Sequence, residues 1–102
     1  MVSQAAGFQL EARADATLAV SGVLTFDTAH AALLALREKL ANGSFASLDL
    51  AGVERGDSAG LSCLLAVLAD VRAHGRTLAV RHLPEGLHAL AQVCEVEDLL
   101  TA

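Results

Sequence analysis

The chain has 102 residues, 54% of them hydrophobic, and a net charge of −5 at pH 7. That is one domain with a small core. With three Phe, no Trp and no Tyr, it lacks the basic footprint and stacking platforms of a nucleic-acid binder, and the cations that would hold it to an anionic lipid surface.

Phe8-Gln9-Leu10-Glu11-Ala12 and Thr17-Leu18-Ala19-Val20-Ser21 alternate apolar and polar residues, and the short segment between them suits a hairpin. A helix follows, with Asp27 as its expected N-cap. Ala29, Ala32, Leu33, Leu36 and Leu40 recur at helical spacing, Lys39 lies in the last turn, and Asn42-Gly43 ends it. Ala46–Leu50 reads as a short strand, Ser58 to about Ala73 as a second helix, and Thr77–Arg81 as another strand. Pro84 suits the first position of a third helix, with Leu87, Leu90, Ala91 and Cys94 on one face. Val96–Leu100 reads as a last short turn. The order β-β-α-β-α-β-α implies an α/β domain over residues 1–102, with parallel crossovers and an antiparallel hairpin at one side.

The longest stretch without a charged residue, Ser58–Ala69, is twelve residues against the roughly 20 a spanning helix needs. The first seven residues carry no basic residue, unlike a secretory signal, so a cytoplasmic protein with no direct membrane insertion is expected. Cys63 and Cys94 have no CxxC or neighbouring His at metal spacing, and read as two buried thiols. The four histidines form no HExxH or paired ligand spacing, so neither metal nor cofactor is expected. Without GxxxxGK[ST], the chain is not itself an ATP-hydrolysing subunit.

The second helix is the most informative segment. Leu61, Leu64, Leu65 and Leu68 share one arc and are expected to face the sheet. The opposite arc, Ala59, Ser62, Ala66, Ala69 and Ala73, is small and nearly uncharged where a solvated face would carry Lys, Glu and Gln. A helix apolar on both sides is usually covered on both sides, although Ala is also simply the best helix former. Ahead of it, Gly56-Asp57-Ser58-Ala59-Gly60 matches G-x-S-x-G, the nucleophile elbow of α/β-hydrolases. That motif needs a strand running straight into the turn, whereas Leu50 is separated from Gly56 by five residues. The triad candidates in chain order are Asp70 and His88, but Asp70 lies on the helix that Ser58 starts. Asp57 or Ser58 also suits an N-cap, and a phosphate on Ser58 would meet the positive end of the helix dipole, opposed by the charge of Asp57. Arg55 reads as an exposed loop residue.

Asp57-Ser58-Ala59-Gly60-Leu61 after a strand and opening a Leu-rich helix, then a strand after Gly75-Arg76-Thr77, resembles a STAS domain over nearly the whole chain. That is the fold of bacterial anti-sigma factor antagonists and of sulfate-transporter tails. Two branches of the resemblance carry different functions. Val20-Ser21-Gly22-Val23-Leu24-Thr25-Phe26-Asp27, Leu83–Ala91 and Val96–Leu100 are similar to the small cytoplasmic subunit of the Mla intermembrane phospholipid ABC transporter. That branch implies a non-enzymatic accessory subunit, bound to the ATPase subunit and peripheral to the inner membrane through the ATPase–permease complex. The antagonist branch implies phosphorylation of Ser58 by an anti-sigma factor kinase. It usually has Gly-Glu-hydrophobic-Asp after its second strand, and Val23 stands where that Glu would be. Either way the expected partner-binding residues are Asp57, Ser58, Ala59, Gly60, Ser62, Ala66 and Ala69.

Overall fold

The computed structural model describes residues 2–5 and 7–101. In chain order the elements are β1 (Val2–Ala5), β2 (Phe8–Arg13), β3 (Thr17–Leu24), α1 (Ala29–Asn42), β4 (Ser47–Gly56), α2 (Ser58–Ala73), β5 (Ala79–Arg81), α3 (Glu85–Val93) and α4 (Glu97–Thr101). The five strands form one sheet in the order β1-β2-β3-β4-β5. β1 and β2 pair antiparallel, as do β2 and β3, while β3–β4 and β4–β5 are parallel. The α/β class and the parallel crossovers are as expected, and an extra strand, β1, extends the hairpin to a three-strand meander. Nothing in the alternation of so short a segment marked it.

Along β2, Phe8 and Leu10 are buried while Gln9 between them is exposed. With Leu18, Val20, Leu48 and Leu50 they form one apolar sheet face, packed in a single core with Ala32, Leu36 and Leu40 of α1 and Leu61, Leu64 and Val67 of α2. Two successive parallel connections along a sheet that grows in one direction carry α1 and α2, which pack against each other over that face. Asp49, reaching Arg13 at 3.2 Å and His82 at 2.8 Å, marks a polar cluster on the sheet.

Several boundaries differ from the sequence reading. β4 does not stop near Leu50 but continues to Gly56, because Val53 is buried and pairs with Gly22, between two register shifts. Bulges break strict alternation, so this half of the strand looked like a loop; Arg55 accordingly sits on a strand, though exposed. β5 keeps only Ala79–Arg81 of the expected five residues. Thr28, not Asp27, occupies the N-cap of α1. Its hydroxyl accepts from the Thr25 N–H at 2.9 Å and donates to the Val23 carbonyl at 2.9 Å, bracing the turn before the helix. Pro84 caps α3 rather than opening it, leaving Glu85 in the first turn. Cys63 is buried, but Cys94 is exposed, because α3 ends at Val93 and makes Cys94 its C-cap.

Candidate functional site

α2 begins directly where β4 ends, and Asp57 fastens three pieces of chain at that junction. Oδ1 accepts from the N–H groups of Ala59 (2.9 Å) and Gly60 (3.1 Å), and Oδ2 from Phe26 (3.0 Å) in the β3–α1 loop. The Asp57 N–H donates to the Leu24 carbonyl at 3.1 Å, tying in the end of β3. Asp57 is therefore the N-cap, and Ser58 is the first helical residue. The Phe26 N–H, then those of Gly60 and Ala59, hold the Asp57 carboxyl below the usual carboxylate range.

Ser58 is exposed, and among the described residues its hydroxyl makes no hydrogen bond. Ser62, one turn on, is exposed with its hydroxyl donating to the Ser58 carbonyl at 3.0 Å. Ala69 and Ala73 are exposed and Ala66 is half-buried, so a row of small side chains runs along the outer side of α2 from Ser58. Asp57 and Ala59 are half-buried at its head. Gly60 faces inward: a Cβ there would stand 2.0 Å from the Leu24 carbonyl oxygen, so only glycine lets the first turn of α2 meet the end of β3. The sheet-facing arc is also rotated from the expected one. Cys63, Leu64 and Val67 are buried, while Leu65 and Leu68 are only half-buried at the flank.

Phe26 was not singled out by the sequence reading, yet it is 81% exposed and its backbone is bonded to Asp57. An aromatic in a loop belongs to no periodic pattern; its one signal was that so few aromatics occur in the chain. At the other end of α2, a hollow of about 490 Å³ is floored by Leu40, Val67 and Val71. Its polar groups serve the fold. Arg37 pairs with Asp70, Arg76 donates to the Gly43 carbonyl at 2.9 Å, and His74 Nδ1 meets the Asp70 carbonyl at 2.8 Å.

The extended β4 meets the strand requirement of the nucleophile elbow, so that objection does not hold. The other parts are engaged elsewhere. His88 Nε2 bonds Glu97, His82 Nδ1 bonds Asp49, and Asp70 holds Arg37. Ser58 thus has no histidine bonded to it as a base. Burial pushes the Cys63 thiol up to about 11, so it is not a nucleophile at neutral pH. Among the described residues no group of three or more His, Cys, Asp and Glu could hold a metal ion, and no helix is long and apolar enough to cross a membrane. What this end of the molecule presents is a firm, exposed surface.

No curated protein matches the sequence significantly. Among solved structures the chain is similar to the anti-sigma factor antagonist SpoIIAA in its unphosphorylated form, with a TM-score of 0.62 and 16% identity over 83% of this chain and 81% of that one. It is likewise similar to the phosphorylated form of the Bacillus cell fate determinant SpoIIAA, with a TM-score of 0.65 and 14% identity over 90% of this chain and 86% of that one. At such identities the likeness concerns the fold. The family described as "Mlab, STAS domain" matches residues 8–101, and the chain belongs to that family.

Proposed function

We propose that this protein is a non-enzymatic accessory subunit that docks on the ATPase subunit of an intermembrane phospholipid ABC transporter. The observation that carries the reading is the Mlab family match across residues 8–101. The exposed row Ser58, Ser62 and Ala69, headed by a turn pinned through Asp57, supplies a surface on which a partner helix or loop could approach closely. Binding only the assembled form of the ATPase would stabilise that form by mass action, which needs no catalytic group on this chain. Ser58 would donate or accept one hydrogen bond across the contact.

Affinity purification of the tagged chain from its own cells, followed by mass spectrometry, tests this. Recovery of an ABC ATPase with a multi-span permease supports it. Because Ser58 does not cap α2 and its hydroxyl makes no hydrogen bond among the described residues, Ser58→Ala should change folding stability by under about 0.5 kcal/mol and association by roughly 0.5–1.5 kcal/mol.

A second reading is favoured by one observation. The Ser58 hydroxyl is exposed at the first position of α2, on a fold shared with SpoIIAA, a protein known in unphosphorylated and phosphorylated forms. A phosphate there would meet the helix dipole favourably and the Asp57 carboxylate unfavourably. High phosphate occupancy on Ser58 in cells, recovery of a small kinase, and a constitutively active Ser58→Ala would support this switch and contradict the transporter reading.

A further inference from the structure

Phe26 stands 81% exposed at the end of the sheet where β3 and β4 finish. It adds almost nothing to the core, yet its backbone is fixed. Its N–H donates to Asp57 Oδ2 at 3.0 Å, and the neighbouring Thr25 N–H donates to Thr28 Oγ1 at 2.9 Å. The Thr28 hydroxyl in turn donates to the Val23 carbonyl at 2.9 Å. A ring presented on a loop pinned on both sides has little left to lose on binding, since the ordering of its backbone precedes the encounter.

The charged residues at this end of the sheet are mostly acidic. Asp27 is next in the chain, Asp57 bonds the Phe26 N–H, and Glu54 lies near the end of β4. Glu85 opens α3, whose Leu87 packs so tightly over Gly56 that a Cβ there would come within 2.6 Å of it. Against these four carboxylates this end has Arg55. Lys39, Arg72 and Arg76 lie instead at or just beyond the C-terminal ends of α1 and α2. An exposed aromatic at an end of the molecule that carries four carboxylates fits an apolar pocket with a cationic rim.

We infer that Phe26 is the anchor of the docking surface, inserted into an apolar pocket of the partner protein whose rim is built from Lys and Arg. The inference rests on the accessory-subunit reading and specifies its contact: the pocket belongs to the ATPase subunit. Burial of the ring there, beside the small row on α2, leaves Ser58 at the margin of the contact and gives Phe26 the larger share of the affinity.

The test is calorimetric titration of the ATPase subunit with wild-type chain, Phe26→Ala and Asp27→Lys, with thermal unfolding of each chain alone. Phe26→Ala should unfold like wild type and bind at least about 30-fold more weakly. Asp27→Lys, a rim charge, should bind at least roughly fivefold more weakly, with a shallower salt dependence. A Phe26→Ala chain that folds and loses less than tenfold overturns the anchor. So does an Asp27→Lys chain of wild-type affinity, which decides the matter if Phe26→Ala does not fold. A wild-type chain that self-associates through Phe26, seen as a dimer by sedimentation that Phe26→Ala abolishes, also overturns it in favour of a second copy as occupant. Absence of any wild-type binding refutes the transporter reading itself, and the anchor with it.

Discussion

Asp57 carries three jobs on one carboxylate: it caps α2, tethers the β3–α1 loop and sets a negative charge beside Ser58. Its folded carboxyl lies below its ordinary value because the Phe26, Gly60 and Ala59 N–H groups favour the ionised form. A group depressed in the folded state contributes stability that is present above the unfolded pKa of about 3.9 and is lost as pH falls through the folded one. Asp57→Asn should therefore be less stable than wild type at pH 7, and the gap should narrow below about pH 4. Urea unfolding of both chains at pH 7 and pH 3 measures it. The cysteines give a second residue-scale expectation. Cys94 is exposed, while Cys63 is buried and its thiol is raised to about 11. A maleimide at pH 7 should label one thiol in the native chain and both in urea, read by intact mass; native labelling of Cys63 would contradict the packing of α2. The Asp-Ser pair was legible in the sequence because capping chemistry is local. Which of the two caps was not, since that depends on where β4 ends. Beyond the scarcity of aromatics, nothing local marks Phe26, because its place depends on a hydrogen bond to a residue 31 positions away.

At the scale of the element, α2 was legible as a helix with two apolar sides, and its rotation was not. An Ala- and Leu-rich helix leaves the arc loosely defined, and close approach at Gly60 fixes it. With Gly60 against Leu24, the buried stripe becomes Leu61, Cys63, Leu64 and Val67. Leu64→Ala, at a position with no exposure, should cost about 2–5 kcal/mol. The half-buried Leu65→Ala should cost about 1–2 kcal/mol. Ala69→Glu, on the exposed row, should change stability by under about 0.5 kcal/mol while abolishing capture of the ATPase subunit, because the complex would bury an unpaired charge. Ala66 is half-buried, so Ala69 is the cleaner position. Denaturant unfolding beside pull-down separates the two classes. An Ala69→Glu chain that binds normally would reduce the small-residue row to a by-product of composition. β4 shows the opposite lesson: its second half was missed because register shifts hide the alternation that defines a strand.

For the whole molecule, the element order was enough to reach the α/β class, since strands alternating with helices of this length admit few topologies. The added strand β1 changes the edge of the sheet without moving the site, which is built where β3, β4 and the start of α2 converge. Asp27, Glu54, Asp57 and Glu85 lie at the Phe26 end of the sheet, and Lys39 and Arg72 lie in the last turns of α1 and α2, with Glu38 and Asp70 nearby in the chain. With the outer row of α2 as the proposed docking face, the chain's effect is expected in the activity of the partner it binds. The most direct measurement is ATP turnover by the purified ATPase–permease complex proposed as its partner, as the chain is added. Turnover should rise to saturation with wild-type chain and not with Ala69→Glu at the same concentration. Turnover that wild-type chain leaves unchanged, at concentrations well above those that saturate binding, would contradict an accessory role in the transporter.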